Sequence, residues 1–141
     1  MSRMLPCGFV PLCLMSLLAT ADAGANENRA APVERGRYLV HDVALCIDCH
    51  SPRDEKGQFL EGKHLTGAAL GFAATVPMPW APAAPAIAGL ENFTAEQAVK
   101  FLMTGERPSN VPVLPPMPAY RMSKADAEAV VAYLKSLAPR Q

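Results

Sequence analysis

The sequence lacks an excess of charge of either sign, because 13 Lys and Arg residues balance 13 Asp and Glu residues. A balanced chain has no electrostatic footprint for nucleic acid, so nucleic-acid binding is excluded, and steering toward a charged partner is expected to be weak. The sequence also lacks internal repeats and convincing strand patterns. With 141 residues, half of them apolar, it is expected to form a single globular domain.

Long apolar runs are also scarce, and the one that stands out lies at the N-terminus. It extends from Leu5 to Ala19, follows the basic residue Arg3, and ends before small residues that suit signal-peptidase cleavage. The run is short for a membrane span and contains two prolines. Residues 1–23 are therefore expected to be a signal peptide that is cleaved after Ala23. The alternatives are cleavage after Ala21 and an uncleaved membrane anchor. A cleaved leader predicts a periplasmic protein with no membrane span in the mature chain.

The rest of the chain divides into helical segments and long loops. Residues 24–31 are small and polar and are expected to be a flexible tail, so the folded domain is expected over residues 32–141. Apolar periodicity and helix-start signals predict three main helices. The first extends from Pro32 to Asp42, the second begins at Thr94, and the third begins at Ser123. The segments between them are rich in proline and glycine, which predicts loops and an all-α fold class.

Capping signals define the second and third helices. Thr94 with Gln97 has the spacing of a capping box, and Gly105 is a plausible stop for the second helix. Ser123 with Asp126 resembles a second capping box. The third helix then carries a core-facing stripe of apolar residues with helical spacing: Ala127, Val130, Val131, Leu134 and Leu137.

Cysteine is scarce in the expected mature chain, because two of the four cysteines leave with the leader. The remaining pair lies in the segment Cys46-Ile47-Asp48-Cys49-His50. Two thiols three residues apart on one helical turn can each add to a vinyl group on one edge of a haem. His50 then projects under the iron as the proximal ligand. The motif therefore predicts one covalently attached haem c.

Other uses of this motif fit less well. A zinc site needs four ligands, and only His41 and His64 remain to join the cluster. A thioredoxin-like redox pair needs a preceding strand and a parallel sheet, which the pattern does not indicate. A structural disulfide would close a very short loop and add little stability.

The sequence resembles the class I, mitochondrial-type, c-type cytochromes over most of the mature chain. The matching segments occur in the family's order and are Glu34 to Leu39, Cys46 to His50, Pro115 to Tyr120, and a closing helix with Ala132-Tyr133-Leu134. It is most similar to bacterial periplasmic cytochromes related to the haem subunits of dehydrogenases. The resemblance implies the class I cytochrome c fold, with three main helices and long loops around one haem.

The resemblance also implies roles for single residues. It implies that Gly36 lets the closing helix, near Tyr133, cross the first helix at short range, and that Met117 is the second axial ligand. One segment departs from the family, which often has Gly-Pro and then Leu where a carbonyl accepts the proximal histidine N–H. Lys63-His64-Leu65-Thr66-Gly67 lacks that proline, so the acceptor for His50 is open although one is expected.

The residues alone leave the sixth iron ligand open, because Met78 and Met117 both lie between prolines. The short gap from Met117 to the helix at Ser123 matches the family and favours Met117, with Met78, His64 or an open site as alternatives. A thioether raises the reduction potential, and two filled axial positions leave no place for a substrate. The expected function is therefore electron transfer rather than catalysis.

This electron-transfer protein is expected to act as a soluble carrier or as the cytochrome subunit of an oxidoreductase. Its expected partners are a dehydrogenase or a terminal oxidase or reductase, and its expected state is a monomer or a subunit of a hetero-complex. The alternative is a five-coordinate haem c protein that senses or reduces a gas or peroxide. Trp80, Arg107 and Arg121 are candidate partners for the haem propionates. The alternatives are that Trp80 is a core aromatic residue and that the two arginines are solvated surface residues.

Overall fold

The structure, a computed structural model, describes residues 21–109 and 111–137. Within these ranges the chain forms four α-helices: α1 (Ala21–Tyr38), α2 (Cys46–His50), α3 (Ala95–Thr104) and α4 (Lys124–Ser136). A π-helical turn (Leu39–Val43) follows α1, and a 3-10 turn (Ala88–Leu90) precedes α3. No helix of this part of the chain is long and apolar enough to cross a membrane. The predicted signal peptide lies outside the described residues, except that residues 21–23 begin α1.

The chain is mostly helical, as predicted, but the structure differs from a purely α fold with three main helices. The segment Cys46–His50, which the sequence predicts to attach the haem and which is called the attachment segment below, forms an additional short helix, α2. Strands β1 (Ala68–Ala69) and β2 (Ala83–Ala84) pair in an antiparallel ladder. Ala68 pairs with Ala84 and Ala69 with Ala83, and Leu70 N donates to the Pro82 carbonyl at 3.0 Å. Strands of two residues have no alternating pattern, and Pro82 and Pro85 flank β2, so neither strand could be recognised from the residue pattern.

The first helix begins earlier than the sequence pattern predicts. α1 starts at Ala21 and passes through Pro32, so residues 24–31, predicted as a flexible tail, are helical here. Alanine is frequent in this stretch and is the strongest helix former, which offsets the hydrogen bond that Pro32 cannot make. The mobility of this stretch in solution stays a prediction.

Both predicted caps are present at the start of α3 and α4. The Thr94 hydroxyl accepts from Gln97 N at 3.2 Å, and the Gln97 side chain accepts from Thr94 N at 2.9 Å, which completes a capping box. Ser123 accepts from Asp126 N at 3.2 Å. The Asp126 carboxylate does not close a second box but pairs with Arg35 of α1 at 2.9 Å. Asp126 therefore links the first turn of α4 to α1.

The core lies where α1 and α4 cross. A Cβ at Gly36 would lie 2.6 Å from the carbonyl carbon of Ala129 and 2.7 Å from the Cβ of Tyr133, so the close crossing implied at Gly36 is confirmed. His41 Nε2 and the Tyr133 hydroxyl, 2.7 Å apart, add a hydrogen bond beside the crossing. The buried core includes four of the five residues of the predicted stripe and residues from the other elements: Ala127, Val130, Val131, Leu134, Leu39, Val40, Ile47, Leu65, Ala98 and Leu102. The fifth residue of the stripe, Leu137, is the C-cap of α4 and is partly buried against this core.

Candidate functional site

The two cysteines of the motif lie on the single short helix α2. The chain enters α2 through Leu45, which adopts a left-handed conformation with φ 51° and turns the backbone away from the π-helical turn. Cys46 and Cys49 are both free thiols and partly buried. Positions three apart on a helix face the same side, so both sulfurs are available to one edge of a single group.

The Cys46 thiol does not have the character of a redox nucleophile. Burial raises its pKa to about 11, a shift that the nearby Tyr120 hydroxyl opposes only in part. Catalytic Cys-x-x-Cys motifs carry a thiol whose pKa is lowered, because the thiolate is the reactive species. The environment of Cys46 therefore argues against thiol–disulfide exchange and suits conversion to a neutral thioether.

His50 is buried, with 6% of its surface exposed, and its ring orientation is fixed by one hydrogen bond. Its Nδ1 lies 2.7 Å from the carbonyl oxygen of Pro85. Because a carbonyl only accepts, Nδ1 carries the proton and Nε2 presents its lone pair. Burial also lowers the pKa of His50, which favours the neutral imidazole that binds a metal.

The acceptor for His50, which the sequence left open, is therefore Pro85. Pro85 lies 35 residues after His50 in the sequence, and contacts around Leu65 and Gly67 hold its carbonyl next to the His50 ring. The buried Leu65 accepts from both Ile87 N and Ala88 N, at 2.9 and 3.1 Å. Gly67 N donates to the His50 carbonyl at 2.8 Å, so His50 is tied to this loop through its backbone as well.

Gly67 is the residue on which this arrangement depends most. Its φ is 87°, and a Cβ there would lie 2.8 Å from Ala86 N and 3.0 Å from the Pro85 carbonyl carbon. We expect Gly67→Ala to lower the free energy of unfolding by about 3 kcal/mol, since backbone strain and crowding add. Denaturant unfolding measures the change.

Gly57 provides the matched control for that prediction. Its φ of 78° is similar, but a Cβ there would meet nothing within 4 Å. We expect Gly57→Ala to cost only the backbone strain of about 1 kcal/mol. Equal losses for the two variants would show that crowding against the Pro85 segment does not contribute.

Met117 is partly buried in a loop that is anchored on both sides. The Pro115 carbonyl accepts from Ala81 N at 2.8 Å, and the Tyr120 hydroxyl donates to the Ala44 carbonyl at 2.6 Å. Tyr120 also lies against Cys46, and burial raises the pKa of Tyr120 to about 12. The Pro115 anchor thus joins the Met117 loop to the proline-rich loop, and the Tyr120 anchor joins it to the turn that precedes α2.

The competing ligands have other surroundings. Met78 is 45% exposed in the proline-rich loop. The His64 ring packs edge-on against Phe59 and His41, with centroids 5.5 and 6.4 Å away. Met117 is thus less exposed than Met78, and its role as the sixth ligand stays a prediction.

The candidate propionate partners are spread over separate loops. The Trp80 indole donates to the Phe72 carbonyl at 3.3 Å and packs edge-on against the Phe72 ring. Arg107 and Arg121 are both exposed. Their roles toward a haem stay predictions.

Pro85, Tyr120 and Arg53 were not predicted to support the site. Pro85 acts through its carbonyl, which every residue has, and Tyr120 acts on a segment far away in the sequence. Arg53 pairs with Asp48 of the attachment segment at 2.9 Å. The available signals were a basic residue shortly after the motif, for Arg53, and a place in a segment that matches the family, for Tyr120.

The donor set as a whole fits a covalently attached haem. It combines two neighbouring free thiols with a buried neutral imidazole whose second nitrogen is already hydrogen-bonded. Among residues 21–109 and 111–137, no three His, Cys, Asp or Glu side chains are grouped so as to hold a metal ion. A zinc cluster is therefore not formed in the part of the chain that the structure describes.

Comparison with known proteins agrees with this donor set. The model of the family described as Cytochrome c matches residues 33–138. The fructose dehydrogenase cytochrome subunit of Gluconobacter japonicus is 30% identical over 108 residues, which cover 73% of this chain. The match covers 21% of that relative, so the chain spans about a fifth of its length.

Proposed function

The chain belongs to the cytochrome c family of haem-based electron-transfer proteins, and on that premise we propose the specific role that follows. It transfers electrons in the periplasm through one haem attached to Cys46 and Cys49, with His50 and Met117 as axial ligands. The observation that carries this proposal is the hydrogen bond from His50 Nδ1 to the Pro85 carbonyl. It leaves Nε2 free on the residue that directly follows Cys49, one of the two free thiols of the motif.

The chain's own residues have distinct tasks in this role. Haem c supplies one-electron iron chemistry when it is bound. The Pro85 carbonyl holds the His50 ring in one orientation and one tautomer, which strengthens it as a ligand. Met117 would hold the iron from the loop Pro115 to Tyr120, and its thioether would favour the ferrous state, raise the reduction potential and leave no open position for a small ligand.

The loops on both sides of the site carry few charges, which supports a contact with a redox partner that does not depend on long-range electrostatic attraction. Residues 65–90 and 108–120 contain no Asp, Glu, Lys or Arg. An uncharged surface provides little steering, and redox partners commonly meet through contacts below about 1,200 Å². This supports transient electron exchange through these loops.

The relative from Gluconobacter japonicus suggests one class of partner. Because that protein is named as the cytochrome subunit of fructose dehydrogenase, we include a periplasmic dehydrogenase as the electron donor in the proposal. The chain acts either as a soluble carrier toward a terminal oxidase or reductase or as the cytochrome subunit of an oxidoreductase. Affinity purification from periplasm separates the two, because only a subunit retains the dehydrogenase in stoichiometric amount.

Covalent attachment is tested by mass in a host that attaches haem c. We expect the wild-type protein to be red and to carry the added mass of one haem after denaturation. The double variant Cys46→Ser/Cys49→Ser is expected to lose that mass, because neither thioether bond can form. Intact-protein mass spectrometry and the absorption spectrum measure both results.

The matched control changes the other two cysteines. Cys7→Ser/Cys13→Ser makes the same chemical change within the predicted leader, so the haem content is expected to stay at the wild-type level. A wild-type protein with the mass of the bare polypeptide contradicts the proposed function. A mass increase of two haems contradicts the single attachment site.

A further inference from the structure

Arg53 lies three residues after His50, and its guanidinium makes contacts in three directions. Nη2 donates to the Asp48 carboxylate at 2.9 Å, and Nη1 donates to the Gly57 carbonyl at 2.8 Å. Its Cζ lies 3.7 Å from the centroid of the Phe59 ring, over the face of that ring. The planar group is therefore held at its edges and on its face, as a flexible lysine would not be.

The loop that carries Arg53 is shaped by its own hydrogen bonds. Arg53 and Phe59 face each other in an antiparallel bridge, and Asp54 N donates to the Gln58 carbonyl at 2.9 Å. The Asp54 carboxylate accepts from Lys56 N and Gln58 N, at 2.9 and 2.8 Å. Arg53 is thus placed by the loop and does not depend on Asp48 for its position.

Asp48 is the acidic residue within the attachment segment, between Cys46 and Cys49. The Asp48 side chain is 47% exposed and the Arg53 side chain is 38% exposed. An ion pair with this much exposure to solvent contributes little to the stability of the fold. The effect of the pair is then mainly electrostatic. A carboxylate near the iron stabilises the ferric state more than the ferrous state, and a fixed guanidinium beside the carboxylate opposes this effect.

We propose that Arg53 is a positioning residue that holds Asp48 and offsets its negative charge beside the two attachment sulfurs. In this way Arg53 keeps the reduction potential of the attached haem from falling. The inference rests on the proposed haem attachment and adds a control of potential that lies outside the axial ligands.

The test is a redox titration of the holo-protein at low ionic strength, where surface charges are screened least. Arg53→Gln is expected to shift the equilibrium with a reference couple about threefold toward the ferric state, or about 28 mV at 59 mV per tenfold. Asp48→Asn is expected to shift it by about as much toward the ferrous state. The double variant is expected to return close to the wild-type potential.

Arg35→Gln is the matched control, because it breaks an ion pair of the same kind and length at the crossing of α1 and α4. Arg35 and Asp126 are 2.9 Å apart and are also partly exposed, at 51% and 33%. This variant makes the same change in net charge, and its potential is expected to equal that of the wild type. Haem content and melting temperature are measured on every variant to separate folding from charge.

Several outcomes overturn the inference. One is an equal shift in Arg53→Gln and Arg35→Gln, and another is a double variant that stays at the potential of Arg53→Gln alone. If the Arg53→Gln protein does not accumulate, an unchanged reduction potential in Asp48→Asn also overturns the inference. A wild-type protein without haem contradicts the proposed function instead, so the two failures are distinguishable.

Discussion

Replacing Met117 with alanine is expected to lower the reduction potential of the holo-protein and to open the iron to carbon monoxide. The thioether favours ferrous iron, so its loss stabilises the ferric state. A decrease on the order of 0.1 V is expected, because axial ligands set haem potentials over a range of about 0.8 V. Potentiometric titration and the carbon monoxide difference spectrum of the ferrous protein measure the two effects.

Met78→Ala is the matched control for this prediction, because Met78 is also a methionine between two prolines. It is 45% exposed, whereas Met117 lies in a loop anchored through Pro115 and Tyr120. We expect Met78→Ala to leave the potential and the spectrum unchanged. A decrease in Met78→Ala alone assigns the sixth position to Met78, and rapid carbon monoxide binding by the unmodified ferrous protein supports the five-coordinate alternative.

The helix ends could be predicted where one side chain bonds to a nearby backbone group. Thr94 and Ser123 are such residues and lie at the predicted starts of α3 and α4. Gly105 lies at the predicted end of α3 and stops it through its left-handed backbone, with φ 74°. The core stripe of α4 was also predictable, because one helical period places its residues on one face. The start of α1 was not, because Pro32 looked like a first-turn residue and lies inside the helix.

The proximal half of the candidate site could be predicted because it is local. Cys46, Cys49 and His50 lie within five consecutive residues, and their spacing alone indicates the chemistry. The distal half was not local. The choice between Met78 and Met117 needed the resemblance to a family, since both methionines have the same neighbours in the sequence.

The groups that hold His50 were beyond sequence reasoning for a physical reason. The acceptor is the backbone carbonyl of Pro85, which no side chain marks, and it reaches His50 through the pairing of β1 with β2. That ladder depends on Gly67, which allows the backbone at residues 84–86 to approach closely. Contacts between backbone atoms of distant loops leave little trace in a single sequence.

Gly36→Ala is expected to destabilise the protein although alanine is the better helix former. Alanine in place of glycine inside a helix gains about 1 kcal/mol in propensity. The new Cβ would overlap the Ala129 carbonyl oxygen and lie 2.7 Å from the Cβ of Tyr133. Backbone atoms cannot rotate away, so α4 must move from α1, and we expect a net loss of about 2 kcal/mol in the free energy of unfolding.

Gly71→Ala separates the crossing from the general effect of replacing a glycine. A Cβ at Gly71 would meet nothing within 4 Å, so its unfolding free energy is expected to change by less than about 0.5 kcal/mol. Denaturant unfolding of the two variants beside the wild type measures the difference. A Gly36→Ala protein as stable as the wild type would show that propensity outweighs the crossing. If α4 does move, the Arg35–Asp126 ion pair and the His41–Tyr133 hydrogen bond are strained together, since one joins α4 to α1 and the other joins α4 to the π-helical turn that follows α1.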